Sequence, residues 1–109
     1  MIYIKEAHPT DGWQLRANVK DRVLFKTHVN FGDRVDVAKQ CSAALKLPMP
    51  TLVDSMDNAV NYQYSAWPDR MYVIDTAGRI AVQAEHGPFG FPPGVRATEE
   101  WLAKFKAGK

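Results

Sequence analysis

The sequence predicts an α/β fold, a three-layer α/β/α sandwich formed by one domain, residues 1–109. Three observations support this prediction: short β-branched strands alternate with amphipathic helices, a β-hairpin follows them, and an amphipathic helix ends the chain. A chain of 109 residues is long enough for one hydrophobic core. Its 46% hydrophobic and 24% charged residues are ordinary for a globular protein and exclude disordered, collagen-like and coiled-coil classes.

The first element is a strand at Met1–Lys5, which is β-branched and aromatic and which the polar segment "HPTDGW" ends. Residues Gly12–Val29 mix charged and apolar side chains without a clean period. They are predicted to form an irregular connection with a short strand at Val23–Lys26.

A helix of about four turns begins after Asn30, which is a good N-cap residue, and Pro48 and Pro50 end it. Asp33 lies in its first turn, where the helix dipole favours an anion. One apolar face is predicted to point inward, formed by Val35, Val37, Ala38, Cys41, Ala44 and Leu45.

A second strand is predicted at Thr51–Ser55 and a short helix at Asp57–Ala66, with its first residue as the cap. The clearest pattern is a hairpin, in which strands Met71–Ile74 and Arg79–Ala84 flank a turn at Asp75–Gly78.

The segment "HGPFGFPPG" is predicted to be a rigid loop, and Gly94–Lys106 a closing helix. Its inward residues are Val95, Thr98, Trp101, Leu102 and Phe105. The element order β, loop, α, β, α, β-hairpin, α is typical of the later part of a thioredoxin-like sandwich.

Charge and cysteine content exclude several functions. The net charge is +2 and the basic residues are scattered, so no nucleic-acid partner is expected. No apolar run approaches ~20 residues, so no membrane contact and a cytoplasmic location are expected. Cys41 is the only cysteine, which excludes a CxxC pair, and it is expected to be a buried small hydrophobe. His28 and His86 have no ligand-like spacing, so no metal is expected.

Glu6 and His8 are the first candidates for chemistry. At i and i+2 they would share one face if the strand continued through them, at the end of the strand where open α/β sheets bind ligands. A carboxylate there can raise the pKa of the imidazole and orient it for proton transfer. The alternative is that both residues only cap the transition from strand to turn.

Arg70 stands immediately before the first hairpin strand. Its planar guanidinium can bind a carboxylate or a phenolate. Equally, it can form an ordinary ion pair with Asp69 or Asp54, and the sequence does not decide between the two readings.

Six stretches in the same order resemble the iodothyronine deiodinase family: "YIKEAHPTDGW", "DRVDVAKQ", "PTLVDSMDN", "YSAWPDRMYVID", "GRIAVQAEHGPFGF" and "VRATEEWL". They span nearly the whole chain, and the EAHPxDGW box is the specific part. The resemblance implies a thioredoxin-fold oxidoreductase that removes iodine from a small aromatic substrate through a selenocysteine or cysteine nucleophile. Thiols are the implied reductant, and no other cofactor is implied.

The resemblance also implies site residues. Tyr3, Glu6 and His8 fall on the active-site residues of the family's box, and Arg70 falls on the arginine that binds substrate together with that histidine. Lys5 replaces a residue that is more usually acidic in the family.

The chain departs from the family in one large respect. Family members place the nucleophile in a β-α unit that should precede Tyr3, and Cys41 lies in a later helix and cannot replace it. The sequence is therefore interpreted as N-terminally truncated, with the first β-α unit missing. Loss of this strand either lets the strands at Met1–Lys5 and Met71–Ile74 pair directly or leaves two sheet edges open, and open edges favour a homodimer.

Two other functions stay open at this point. One is a non-catalytic thioredoxin-fold module for binding or dimerisation. The other is a peroxiredoxin-like protein, which the EAHPxDGW box disfavours because it is not a signature of that family.

Overall fold

A computed structural model of the chain describes residues 1–13, 16–20 and 24–108. These residues form two small sheets and four helices, which confirms the mixed α/β class. They group into two units, Met1–Tyr64 and Ser65–Lys109, each with its own two-stranded sheet. The single domain spanning residues 1–109 stays a prediction.

The first unit contains, in chain order, β1 (Ile2–Tyr3), α1 (Arg16–Lys20), α2 (Phe31–Ala44), β2 (Leu52–Val53) and α3 (Ala59–Tyr64). β1 and β2 pair in parallel, with Ile2 opposite Leu52. The N–H of Asp54 donates to the carbonyl of Tyr3 at 2.8 Å and extends this pairing. Both strands are shorter than predicted. Directly after β2 the Asp54 carboxylate accepts from the N–H of Ser55, a local bond that competes with the strand ladder.

The stretch from Gly12 to Val29 corrects one prediction. It was expected to be irregular, yet it contains α1, which has no buried residue and therefore no apolar period to mark it. Of the strand predicted at Val23–Lys26, Val23 lies outside the described residues, and residues 24–26 are not in a strand.

α2 begins as predicted. The Asn30 side chain accepts from the N–H of Asp33 at 2.8 Å, and the Asp33 carboxylate accepts from the N–H of Val29 at 3.1 Å. Its predicted apolar face is only partly correct, because Leu45 is 62% exposed and Cys41 is half-buried. The buried residues of α2 are Ala38 and, unexpectedly, Arg34.

α3 is held at its start by a buried carboxylate. Asp54 is 1% exposed. Its Oδ1 accepts from the N–H of Ser55 at 2.9 Å and from the N–H of Val60 at 3.0 Å. Its Oδ2 accepts from the N–H of Asn61 at 2.9 Å. The predicted cap, Asp57, also accepts from the N–H of Ala59 at 3.3 Å, but it is exposed. The main anchor of this helix is therefore Asp54.

The second unit contains β3 (Tyr72–Ile74), β4 (Ile80–Gln83) and α4 (Phe91–Ala107). β3 and β4 form the predicted antiparallel hairpin, with a register irregularity between Val73 and Ile74. In the turn, Asp75 Oδ1 accepts from the N–H groups of Ala77 and Arg79 at 2.9 Å each. Gly78 has a φ of 79°, the left-handed region that glycine adopts without strain.

α4 begins at Phe91, three residues earlier than the predicted start at Gly94, so the end of the predicted loop "HGPFGFPPG" is helical. Pro92 and Pro93 fit its first turn because the missing proline N–H is not used there. Of the predicted inward residues, Leu102 is 40% exposed and the others are half-buried. The buried residue of α4 is Gly94.

Gly94 is where α4 packs closely on β4. A Cβ at this position would lie 2.6 Å from the Cβ of Ala84, which is 5% exposed and fixed to its own backbone. We expect Gly94→Val to lower the free energy of unfolding by about 1–3 kcal/mol through overpacking. Urea unfolding followed by circular dichroism measures this. Gly108→Ala is the control: its nearest atom is 3.6 Å away, and a loss similar to that of Gly94→Val would contradict the packing argument.

Candidate functional site

The loop after β1 is tied back to a later segment of the first unit. The N–H of Thr10 donates to the carbonyl of Phe25 at 2.8 Å. Asp11 Oδ1 accepts from the backbone N–H of Thr27 at 2.7 Å and from its hydroxyl at 3.0 Å. These bonds hold the pKa of Asp11 below its usual value. They also fix the residues that immediately precede His28.

Tyr3 and Glu6 form the closest polar pair of this region. The Tyr3 hydroxyl donates to Glu6 Oε2 at 2.6 Å. Burial, this hydrogen bond and the charge of Glu6 raise the pKa of Tyr3 well above its ordinary value. Tyr3 is therefore a neutral donor at physiological pH and holds the Glu6 carboxylate in place.

His28 lies beside this pair. It is 7% exposed, and its ring centroid is 5.8 Å from that of Tyr3. Its Nδ1 lies 3.1 Å from Arg34 Nε, and its buried Nε2 has no hydrogen-bond partner among the described residues. Burial and the Arg34 charge lower the pKa of His28, while Glu6 and Asp33 act in the opposite direction.

Arg34 connects this group to the start of α3. It is 3% exposed, and its Nη1 donates to the carbonyl oxygens of Asp54 at 3.3 Å and Ser55 at 2.8 Å. It also donates to Asn58 Oδ1 at 3.1 Å. Each of these acceptors is neutral.

Sequence reasoning missed His28 and Arg34 as site residues. A signal for Arg34 was present: it precedes Ala38 and Cys41 by four and seven positions, which places it on the same stripe of α2. His28 carried no comparable signal, because it follows a segment without periodicity.

His8 does not share a face with Glu6. β1 ends at Tyr3, so the longer strand that would align the two side chains does not form. Instead, His8 Nδ1 lies 3.1 Å from the carbonyl of Trp13, and the two rings meet edge to face at 4.6 Å. Trp13 is 72% exposed. The structure thus brings together Tyr3 and Glu6, and separately His8 and Trp13.

Arg70 lies in the second unit. Its Nε donates to the carbonyl of Ala84 at 2.8 Å, its Nη1 donates to that of Ser65 at 3.3 Å, and Nη1 lies 3.4 Å from His86 Nε2. The guanidinium also stands 5.4 Å from the centre of the Tyr72 ring. The sequence also allowed an ion pair between Arg70 and Asp69. In the described part of this unit, these two residues do not form one. A meeting of Arg70 with Glu6 and His8 stays a prediction.

A groove of about 460 Å³ lies in the same unit, and Arg70 contacts two residues of its lining, Ala84 and His86. Its lining combines apolar surface from β4 and α4 with the polar residues Glu85 and His86. Phe89, at its rim, is 90% exposed. The groove is shallow and open to solvent.

Comparison with known proteins identifies the family. The model of the iodothyronine deiodinase family matches residues 1–106. The chain belongs to this family. It is 33% identical to the type I iodothyronine deiodinase of Xenopus laevis over 85% of the chain and 34% of that relative. It is 33% identical to the type II iodothyronine deiodinase of Petromyzon marinus, over 100% of the chain and 36% of that relative. It is 32% identical to the type II iodothyronine deiodinase of Homo sapiens, over 95% of the chain and 38% of that relative.

The deiodinase match corrects the predicted location. The chain spans little more than a third of the length of the relatives it matches. The cytoplasmic location predicted above is wrong, because the deiodinases that the chain matches are membrane-anchored proteins. Among the described residues, no helix combines the length and the apolar character that crossing a bilayer requires.

Cys41 is the one cysteine of the sequence, and its thiol is free. Burial raises its pKa, and the negative charge of Glu6 raises it further. The thiolate is the reactive form, so Cys41 is not activated for nucleophilic attack.

We expect iodoacetamide to alkylate Cys41 several-fold more slowly in the folded chain than in urea at pH 8, and Glu6→Gln to accelerate the folded-state reaction. The reason is that a raised pKa lowers the thiolate fraction, and removing the Glu6 charge lowers the pKa. Mass spectrometry over a pH series measures both rates. Equal rates in the folded and unfolded chains would contradict this account of Cys41.

Proposed function

We propose that this chain is the substrate-side part of a thioredoxin-fold oxidoreductase that removes iodine reductively from an aromatic ring. The observation that carries the proposal is the Tyr3–Glu6 hydrogen bond beside a buried histidine whose Nε2 has no partner among the described residues. Family membership supports the reaction class. One relative with 31% identity is named thyroxine 5-deiodinase, in Gallus gallus.

The proposed reaction needs a chalcogen nucleophile and a proton. A thiolate or selenolate attacks the iodine, a chalcogen–iodine bond forms, the carbon–iodine bond breaks, and the ring carbon takes a proton. A thiol then displaces iodide, and a second thiol restores the nucleophile. In sum, the aryl iodide and two thiols give the deiodinated ring, a disulfide, iodide and a proton. Glu6, held by Tyr3, is the group we assign to the proton transfer. His28 is the group we assign to hydrogen bonding of the substrate.

For substrate binding, we propose that His8 and Arg70, each within its own unit, are substrate-binding residues. The exposed Trp13 ring beside His8 offers an aromatic face. The Arg70 guanidinium contacts Ala84 and His86, which line the groove, and can bind an anionic group through its planar fork.

We assign the nucleophile to a selenocysteine or cysteine outside residues 1–109, because Cys41 is not activated. Residues 1–109 alone, given a dithiol and a diiodinated phenol, are expected to release no iodide above the rate without protein. A protein that contains residues 1–109 together with such a nucleophile, the full-length protein of the tests below, is expected to release iodide, with or without Cys41→Ser. An iodide electrode measures the release. Turnover by residues 1–109 that survives Cys41→Ser would contradict the proposal.

The alternative function is a non-catalytic thioredoxin-fold module for binding or dimerisation. The Cys41 thiol supports it, because burial and Glu6 raise the pKa of this thiol and leave it unreactive. Its sheet leaves Ile2 42% and Leu52 62% exposed, and a second copy of the chain could cover them. A full-length protein that binds the diiodinated phenol but releases no iodide in the presence of dithiol would establish this module instead.

A further inference from the structure

We propose that Arg34 is a positioning residue that holds His28 in its neutral form with the proton on Nε2, so that His28 acts toward a ligand as a buried hydrogen-bond donor. The argument starts from Arg34 Nε, which lies 3.1 Å from His28 Nδ1. An arginine Nε always carries a proton and cannot accept. Nδ1 must therefore be the acceptor, and the single proton of the neutral ring must be on Nε2.

Protonation of His28 is opposed by the same contact. An imidazolium would place an N–H on Nδ1 facing the N–H of Arg34, which would break the hydrogen bond and bring two positive charges together. Two carboxylates favour protonation of His28: Glu6, in the loop after β1, and Asp33, in the first turn of α2. Burial and Arg34 outweigh them.

With this tautomer, the Nε2–H group of His28 is buried in the free chain. It is a buried donor with no acceptor among the described residues, and an unsatisfied buried donor destabilises the free chain. An acceptor atom of a bound molecule would remove that cost. His28 is thus prepared to donate to the ligand and not to remove a proton from it.

The inference rests on the proposed function only for the identity of that ligand. The tautomer belongs to the free chain and can be measured without substrate or nucleophile. If iodide release fails but the tautomer is as described, only the proposed function is lost.

The test is long-range ¹H–¹⁵N NMR of the histidine rings. At pH 7 we expect His28 to show a protonated Nε2 and an unprotonated Nδ1. A proton on Nδ1, as the other neutral tautomer or as the imidazolium, would overturn the inference. This measurement uses the unmodified chain and does not depend on whether any variant folds.

Two variants separate positioning from a structural role. Arg34→Lys keeps the charge but replaces Nε by a methylene, and the His28 titration midpoint is expected to rise by roughly one to two pH units. Asn58→Gly removes one acceptor of Nη1 at a residue with a φ of 59°, which glycine tolerates, and should leave the midpoint unchanged. An unchanged midpoint in a folded Arg34→Lys chain, or equal rises in both variants, would contradict positioning by Nε.

Discussion

Asp54→Ala is expected to lower the free energy of unfolding of the chain by about 3–5 kcal/mol. The substitution removes a helix cap and leaves the part-buried N–H of Val60 and the buried N–H of Asn61 without their acceptor. Domains of this size are stable by only about 5–15 kcal/mol, so this single carboxylate decides much of the stability. Urea unfolding followed by circular dichroism measures the loss.

The matched control for this variant is Asp57→Ala. Asp57 lies three residues away, is exposed, and accepts from the N–H of Ala59 at 3.3 Å. Its replacement should cost about 1 kcal/mol or less. If the two variants lost the same stability, Asp54 would not be the anchor of α3.

His28→Phe is expected to lower kcat/KM for iodide release by the full-length protein by about 10²–10³-fold, the usual contribution of a positioned hydrogen-bond donor that stabilises a transition state. Phenylalanine keeps the ring but removes both nitrogens. His28→Gln is expected to lose less, because its amide can still accept from Arg34 and donate in place of Nε2. The assay uses a diiodinated phenol and a dithiol.

The control for His28 is Val29→Ala, at the neighbouring residue, whose side chain is 85% exposed. It should leave kcat/KM unchanged. A folded His28→Phe protein that releases iodide within twofold of the unmodified rate would remove His28 from the mechanism.

The elements that the sequence predicted well are those whose signals are local. The hairpin of β3 and β4 follows from β-branched runs on either side of a turn glycine, and the start of α2 follows from Asn30 and Asp33. α4 began earlier than predicted because prolines read as breakers are also good residues for a first helical turn.

The candidate site was predictable only in part. Tyr3 and Glu6 were identified through the family's box, and their hydrogen bond joins residues three positions apart. The environment of Arg34 depends on acceptors 20 to 24 positions away, and His28 is fixed through bonds from Thr10 and Asp11 to the segment that precedes it. Such long-range contacts leave no periodic trace in the sequence, and a charged residue is ordinarily assigned to the solvent face of a helix.

The central claim is that Tyr3, Glu6 and His28 together face the ligand, and NMR titration of the chain with a diiodinated phenol tests it most directly. The account predicts that resonances of these three residues, including His28 Nε2, shift as the phenol is added, and shift less with the same phenol lacking iodine. Binding of the iodinated phenol that leaves all three resonances unmoved would contradict the account.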